Sequence, residues 1–432
     1  MIKIYPLVPI ASTGDVQGGR QRSPHMADGK LVPYLRVANV FDGYIDFSDV
    51  NEMLFKPREI DRFRLIKGDI LLNEGQSVEL VGRCAMFEDG PEDCCYQNTL
   101  VRYRAGAETD PHFALQLFRY CQHIGIFSKI AVKTNSIAHL GVSRFADLEL
   151  PFPPHQVQIR IAEILKTWDT AIQKTEQLIA AKERHRDALI ARLYALSDSR
   201  GRPSHFRELL EESTETGSSG RHAKKITVKL YGKGVLAKDE KRRGSEQTQY
   251  FVRRAGQLIY SKLDFLNGAF GIVPPELDGY ESTLDLPAFD IAPTVNAFWL
   301  LGYLTRPAYY RRQVGLARGQ RKARRVHPSD LLALSLRVPP RDLQDRIAGI
   351  LSLSQCDIDE SRRLLDLLKT QKRGLMQKLL TGQWRLPVAA APSPPAPLPQ
   401  AGEGRKSAAT EVSSPLPLVG EGGRRPGEGP HD

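Results

Sequence analysis

Residues 153–165 read PPHQVQIRIAEIL, and residues 339–351 read PPRDLQDRIAGIL. The two phrases belong to a longer duplication. Leu148–Leu196 lies over Leu334–Gly382 at a constant offset of 186, with no gap. Leu148/Leu334, Leu150/Leu336, Pro153/Pro339, Pro154/Pro340, Gln158/Gln344, Arg160/Arg346, Ile161/Ile347, Ala162/Ala348, Ile164/Ile350 and Leu165/Leu351 all match, and leucines and isoleucines match further on. Leucine-rich helices match by chance at a few positions, but not at a double proline and an RIA-x-IL core together.

Each copy has the same local logic. LELPFPP and LSLRVPP read as a short strand stopped by proline, which removes a ladder donor and biases its predecessor away from helix. A proline-free helix of about 33 residues follows, about 50 Å long at 1.5 Å per residue. Steps of four and three pick out Ile161, Leu165, Trp168, Ile172, Thr175, Ile179, Lys182, Arg186, Leu189 and Leu193 in the first copy. The second copy gives Ile347, Leu351, Ser354, Ile358, Ser361, Leu365, Leu368, Lys372, Leu375 and Leu379. Most of these positions are apolar, the pattern of a coiled-coil seam. Two unrelated amphipathic helices would satisfy the pattern; the shared seam and the duplication favour pairing of one with the other.

Unlike text precedes each helix. About residues 1–150 and 203–336 are domain-sized and rich in strand-like runs bounded by Gly, Pro, Asp and Asn, such as YLRVANV, GDILLN, NTLVRY and QLIYSKL. KGDILLNEG at Lys67 is paralleled by AGQLIYSKL at Ala255. The predicted order is a globule (1–150), a helix (151–196), a linker and second globule (197–336), a second helix (337–386) and a tail (387–432). The tail is rich in Pro, Gly, Ala and Ser, too poor in large apolar groups to offset its ordering entropy, and is expected to be disordered.

The chain of 432 residues carries a formal charge of +11, which favours a polyanionic partner or simply a soluble basic surface. Five cysteines without a CxxC pair fit a reducing cytoplasm, and most are expected to be buried as small apolar groups. The N-terminal text lacks the features of a signal peptide, and no run is apolar enough to span a bilayer, so a cytoplasmic protein with no membrane partner is expected.

The pattern of two constant helices and two variable globules resembles the specificity subunit of type I restriction-modification systems. The resemblance covers about residues 1–386. It rests on PP-x(3)-Q-x-RIA-x-IL in both copies, on KRGLMQKLLTGQWRL (372–386), and on PYLRVANVFDGYIDFSDV and LLNEGQSVELVGRCAMF in the first globule. NGAFGIVPPELDGY resembles a different recognition type. The resemblance implies an α+β protein with two target-recognition globules, each followed by a long helix. The helices would pair as an antiparallel coiled coil with pseudo-twofold symmetry. It further implies a bipartite double-stranded DNA target and docking of methyltransferase subunits, two being expected, with a restriction nuclease-translocase subunit for cleavage. The chain itself would need no cofactor; S-adenosylmethionine would sit on the methyltransferase partner. Ile161, Leu165, Trp168, Ile172, Ile179, Leu189, Leu193, Ile347, Leu351, Ile358, Leu365, Leu368, Leu375 and Leu379 are then expected to serve helix pairing and subunit docking.

DNA contact calls for cations at phosphates and for amide, hydroxyl or guanidinium groups at base edges. The first globule offers Arg20, Gln21, Arg22 and Ser23 beside two glycines, then Asn73, Gln76 and Ser77 after a strand, then Lys133, Thr134 and Asn135. The second offers Arg318, Gln320, Arg321, Lys322, Arg324 and Arg325, with Tyr260, Ser261 and Lys262 in the place of the Asn73 segment. Arg321, Lys322, Arg324 and Arg325 are expected at phosphates, and Gln320, Gln21 and Asn73 at bases. A charge run is ordinarily a solvated loop, but 131–136 and 315–328 stand in corresponding places, just before the repeated strand.

No phosphate loop, no Asn-Pro-Pro-aromatic segment and no paired metal ligands occur in the sequence. Acidic pairs such as Asp69 with Glu74 read as strand ends. The chain is therefore expected not to be an enzyme. Two alternatives stay open: a nuclease or methyltransferase with an unrecognised active site, and a coiled-coil scaffold that reads no DNA.

Overall fold

Both double prolines end in the same backbone conformation. Pro154 (φ −52°, ψ 146°) and Pro340 (φ −53°, ψ 148°) each cap the start of a helix. Proline suits this place because its fixed φ starts a helix and its missing N–H would have no intrahelical partner there. The first rod, His155–Arg200, has 46 residues and the second, Arg341–Leu380, has 40. At 1.5 Å per residue they are about 69 and about 60 Å long, longer than the sequence pattern predicts. In this computed structural model residues 5–21, 28–134, 136–238, 245–316 and 325–386 are described. The tail expected at 387–432 lies outside them.

The rods run antiparallel. Asp169 meets Lys372 at 2.6 Å, Glu176 meets Lys369 at 2.7 Å, Glu183 meets Arg362 at 2.6 Å, and Lys182 meets Asp357 at 2.6 Å. Partners of rising number on one rod fall in number on the other. None of the twenty seam positions is exposed. Ile179 and Ile358 are buried near the middle. Two polar seam positions meet across the rods: Lys182 Nζ donates to Ser361 Oγ at 2.9 Å. Gly349 causes no break, since the second rod runs through it unbroken.

Each globule is built on a four-stranded antiparallel sheet of the same order. In the first, Gly14–Gly18, Leu100–Ala105, Ile70–Asn73 and Cys84–Met86 lie side by side. In the second, Leu210–Ser213, Ala288–Ile291, Leu258–Tyr260 and Phe270–Ile272 do so. Strand alternation sends Ile70 and Leu72 into one core and Leu71 into another. Leu258 and Tyr260 part from Ile259 in the same way. Gly68 and Gly256, at φ 94° and 86°, turn the chain into the equivalent strands, where a side chain would be strained. The outer sheets differ. The first globule adds Asn51–Phe55, Lys30–Leu35 and Cys95–Tyr96, with one parallel pairing. The second adds Thr216–Ser219, Gln249–Arg253 and Tyr280–Ser282, all antiparallel.

The cores explain why the rods outrun the prediction. The first globule buries Ile161 and Leu165 of the first rod together with Met376, Leu379 and Leu380 from the far end of the second. The second globule buries Ile347 of the second rod with Tyr194 from the far end of the first. Tyr194 donates to Trp299 O at 2.8 Å, and a Cβ on Gly302 would lie 2.2 Å from its hydroxyl, so the approach requires glycine. Each globule therefore grips the start of its own rod and the end of the other. Residues 197–200, read as linker, are helical, and Arg202–His205 pairs at once with Ser335–Val338. The strand Leu7–Pro9 pairs likewise with Glu149–Pro151 before the first rod.

Candidate nucleic-acid interface

In the first globule the end of Gly14–Gly18, the start of Leu100–Ala105 and the end of Ile70–Asn73 lie at one edge of the sheet. The predicted segments after Gly18, after Asn73 and before His139 therefore converge. Glu74 N–H donates to Thr99 O at 2.9 Å, and Leu140 N–H donates to Glu74 O at 2.8 Å. Beyond this junction Val132–Lys133, Ala138–His139 and Gly75–Gln76 form a small sheet. It brings Gln76 and Ser77 near exposed Lys133 and Thr134. Thr134 Oγ1 donates to Ile137 O at 2.9 Å and Gln76 Oε1 accepts from Ser77 N–H at 3.1 Å, so both are partly engaged in shaping the loop. His139 meets Glu74 at 3.1 Å.

The second globule repeats the junction. Lys262 N–H donates to Asp285 O at 2.9 Å, and Val326 N–H donates to Lys262 O at 3.0 Å. Lys262 thus stands where Glu74 stands, as the sequence parallel expects. Arg325 lies beside it and meets Asp285 at 3.2 Å. The two loop ends share a backbone frame and differ at its equivalent positions: Glu74 and His139 in one, Lys262 and Arg325 in the other.

Three predicted residues are placed differently. Asn73 is fully buried and its Nδ2 faces Val40 O at 3.4 Å, so it presents no edge to a base. Tyr260 is fully buried, donates to Val326 O at 3.0 Å, and has its hydroxyl pKa pushed up by that burial. Both strands are covered on both faces, so Asn73 and Tyr260 lie inside, and only residues past the strand ends reach the surface. Arg20 stacks on Phe55 at 4.8 Å, donates to Leu54 O at 2.7 Å and meets Glu59 at 2.8 Å. It braces the sheet edge, whereas Gln21 is exposed. Arg22, Ser23, Asn135, Arg318, Gln320, Arg321, Lys322 and Arg324 lie outside the described residues.

The sequence reading missed other groups at this edge. Gln97 and exposed Asn98 sit in the turn before Leu100–Ala105, where Asn98 N–H donates to Arg20 O at 3.0 Å. Arg58 and Arg62, exposed on the helix Pro57–Phe63, line a cleft with Gly19 and Gln21. Their i,i+4 spacing on a short helix was the available signal. Asp69, read as an exposed strand end, is buried and takes Arg104 in two contacts of 2.6 and 2.7 Å. Cys84, Cys94, Cys95 and Cys121 are buried, and burial pushes the Cys94 and Cys95 thiols up to about 12. Such thiols are inert packing groups at neutral pH. Among the described residues no cluster of His, Cys, Asp and Glu could hold a metal, and no helix is long and apolar enough to cross a membrane.

Two loop ends built on one backbone junction and joined by a paired antiparallel rod define a two-headed architecture. Residues 27–183 match the family model described as type I restriction modification DNA specificity domain. Over 380 residues the chain is 22% identical to a protein of Methanocaldococcus jannaschii assigned as type I restriction enzyme MjaX specificity subunit, covering 82% of this chain and 87% of that one. In fold it is similar to the S subunit of a type I restriction-modification system from M. genitalium, with TM-score 0.51, 16% identity, and 88% and 96% of the two chains covered. A chain from a structure on complex assembly and conformational transition of the type I R-M system matches with TM-score 0.56 and 15% identity, covering 88% and 98%. The resemblance read from the sequence is borne out: residues 27–183 match the type I restriction modification DNA specificity domain, and the chain shares the fold of the specificity subunits.

Proposed function

We propose that this chain is the sequence-specific DNA-binding subunit of a type I restriction-modification complex, each loop end reading one half of a split target. The observation that carries the reading is the recurrence of one backbone junction, Glu74/Leu140 and Lys262/Val326, at the edges of two globules held apart by one rod. From Leu165 in one core to Tyr194 in the other the first rod covers about 44 Å, more than the ~34 Å of one duplex turn. Different side chains on equal frames suit two unlike half-sites.

Catalysis belongs to partner subunits in this reading: methyltransferase subunits carrying S-adenosylmethionine, and a nuclease-translocase. Leu178 and Leu364 are equivalent by the repeat and are 49% and 50% exposed, one on each rod. Paired apolar groups in water suit two copies of one partner.

Comparing DNA methylation with and without the gene tests the reading. One bipartite motif should vanish, and exchange of residues 203–336 should change one half of it. Loss of no motif overturns the proposal. Arg58→Ala with Arg62→Ala should weaken binding to all sequences and flatten the log–log salt slope by about 2 in a gel-shift series. An unchanged slope removes that helix from the interface.

A further inference from the structure

Gln158 and Gln344 are the matched glutamines of the repeated phrase, and they face inward rather than toward solvent. They are 3% and 1% exposed. A helix opens each globule's contact with its rod: Pro111–His123, capped by Asp110, and Ala297–Leu304, capped by Asn296. Gln158 Oε1 accepts from Asp110 N–H at 2.9 Å, and Gln344 Oε1 accepts from Asn296 N–H at 2.8 Å. Gln158 Nε2 donates to Pro153 O at 2.8 Å and Glu108 O at 3.3 Å. Gln344 Nε2 donates to Pro339 O at 2.9 Å and Thr294 O at 3.4 Å. Every partner of one amide is offset by 186 from the corresponding partner of the other.

All six partner groups are backbone atoms. A joint that recognises only main chain is indifferent to globule side chains, which is how two globules of different sequence meet equal rods. It also fixes direction. The amide ties the first turn of the rod to the cap of the globule's helix, so it sets the angle at which the loop end leaves the rod. Bonds in such a dry site are made in full and are costly to leave unmade.

We propose that Gln158 and Gln344 are positioning residues that set the angle of each recognition globule on the rod, and so the spacing between half-sites that the protein accepts. The inference rests on the two-half-site reading above. One base pair more or less in the spacer moves a half-site by about 3.4 Å and turns it by about 34°. Discrimination between spacers therefore demands a stiff joint, in addition to contacts within each half-site.

The test uses the full chain in complex with its methyltransferase partner and duplexes of the methylated target with the spacer changed one base pair at a time. Gln158→Met and Gln344→Met keep side-chain length and remove the amide. Each should cut the preference for the native spacer roughly tenfold, because a loosened support no longer holds the site to sub-ångström placement. Affinity for a single half-site should stay within about twofold, since no base-reading group is touched. Gln158→Glu, which keeps an acceptor for Asp110 N–H and loses both donations, supplies a second variant should methionine prevent folding. Variants that retain the wild-type spacer preference overturn the inference and leave the function standing. A wild-type complex with no spacer preference overturns the two-half-site reading, and the inference with it.

Discussion

Removing Asp169 and removing Lys372 should have unequal effects, although the two form one ion pair. Asp169 sits on the first rod where the first globule and both rods meet. Its carboxylate accepts from Gln116 at 2.7 Å, from Arg119 at 3.2 Å and from Lys372 at 2.6 Å. Lys372 is the more enclosed partner, its side chain 6% exposed against 31% for Asp169. Burial lowers the Lys372 pKa, the charge of Arg119 lowers it further, and Asp169 does not reverse this. Burial would raise the Asp169 pKa, yet Arg119 and Lys372 together hold it below the usual carboxylate value. The two directions agree on one point: the ammonium is held in place at a cost, while the carboxylate is well supported.

Asp169→Ala leaves that ammonium buried without its carboxylate and should cost about 3 kcal/mol, the low end for breaking a buried pair because Asp169 is a third open to water. Lys372→Met fills the same volume, leaves Asp169 with Arg119 and Gln116, and should change stability by less than about 1 kcal/mol. Urea denaturation of the full chain reads both. The pH dependence gives a second reading. A lysine whose folded pKa is depressed binds fewer protons folded than unfolded, so stability rises as pH climbs through the folded pKa toward 10.5. Lys372→Met should abolish that alkaline gain. If Lys372→Met proves as damaging as Asp169→Ala, the ammonium contributes net stability and the reasoning fails.

Three further outcomes are expected. Ile358 is 2% exposed at the centre of the seam, and Ile358→Ala should cost about 3 kcal/mol through lost transfer energy and a residual cavity, read by urea midpoint. Asn73→Ala should lower thermal stability by about 1 kcal/mol and leave target preference unchanged in a methylation assay, because the side chain faces the core. Asp42, where burial raises the pKa and bonds from His123 and Arg119 outweigh it, and Asp169 both titrate below their unfolded values. Their contribution is complete above about pH 4 and is lost as pH falls through the depressed values, so Asp169→Asn should flatten the acid limb of a stability–pH curve.

The rods were legible because a heptad seam repeats locally and appeared twice. Their ends were not. The helix continues past Leu193 because Tyr194 and Ser197 enter the other globule's core, a contact between residues about a hundred positions apart. RGRPSH looked like linker for the same reason: its strand exists through pairing with Ser335–Val338. In the globules the shared sheet showed through Gly68 and Gly256, where the turn demands glycine, while the outer sheets diverged in pairing and left no common pattern. The candidate interface segments were picked out by composition, but burial on both faces of a central strand has no local signature. Ile70–Asn73 and Leu258–Tyr260 are buried throughout, and partial exposure begins only past the strand ends, as at Gln76 and Lys262. The repeated phrase was read for the helix-pairing and docking residues it carries. Its glutamine instead meets backbone, a use with no signature in a helix, where amides ordinarily face water.

The junction at Asp169 also has a counterpart that is not its equal. By the offset of 186, Arg186 holds the place of Lys372, and Gln355 that of Asp169. Two first rods laid antiparallel would set Asp169 against Arg186 at both ends. Two second rods would bury Lys372 against Gln355 twice, with no carboxylate. The outer pairs act against both, because the same offset makes Glu176 equivalent to Arg362 and Glu183 to Lys369. Two first rods would set Glu176 against Glu183 at both ends, and two second rods Arg362 against Lys369, so like charges oppose either homotypic pairing and the charge pattern selects unlike rods. Sedimentation of residues 1–200 and of residues 201–386 should show tighter association in the mixture than in either alone; equal behaviour would deny the charge pattern any sorting role.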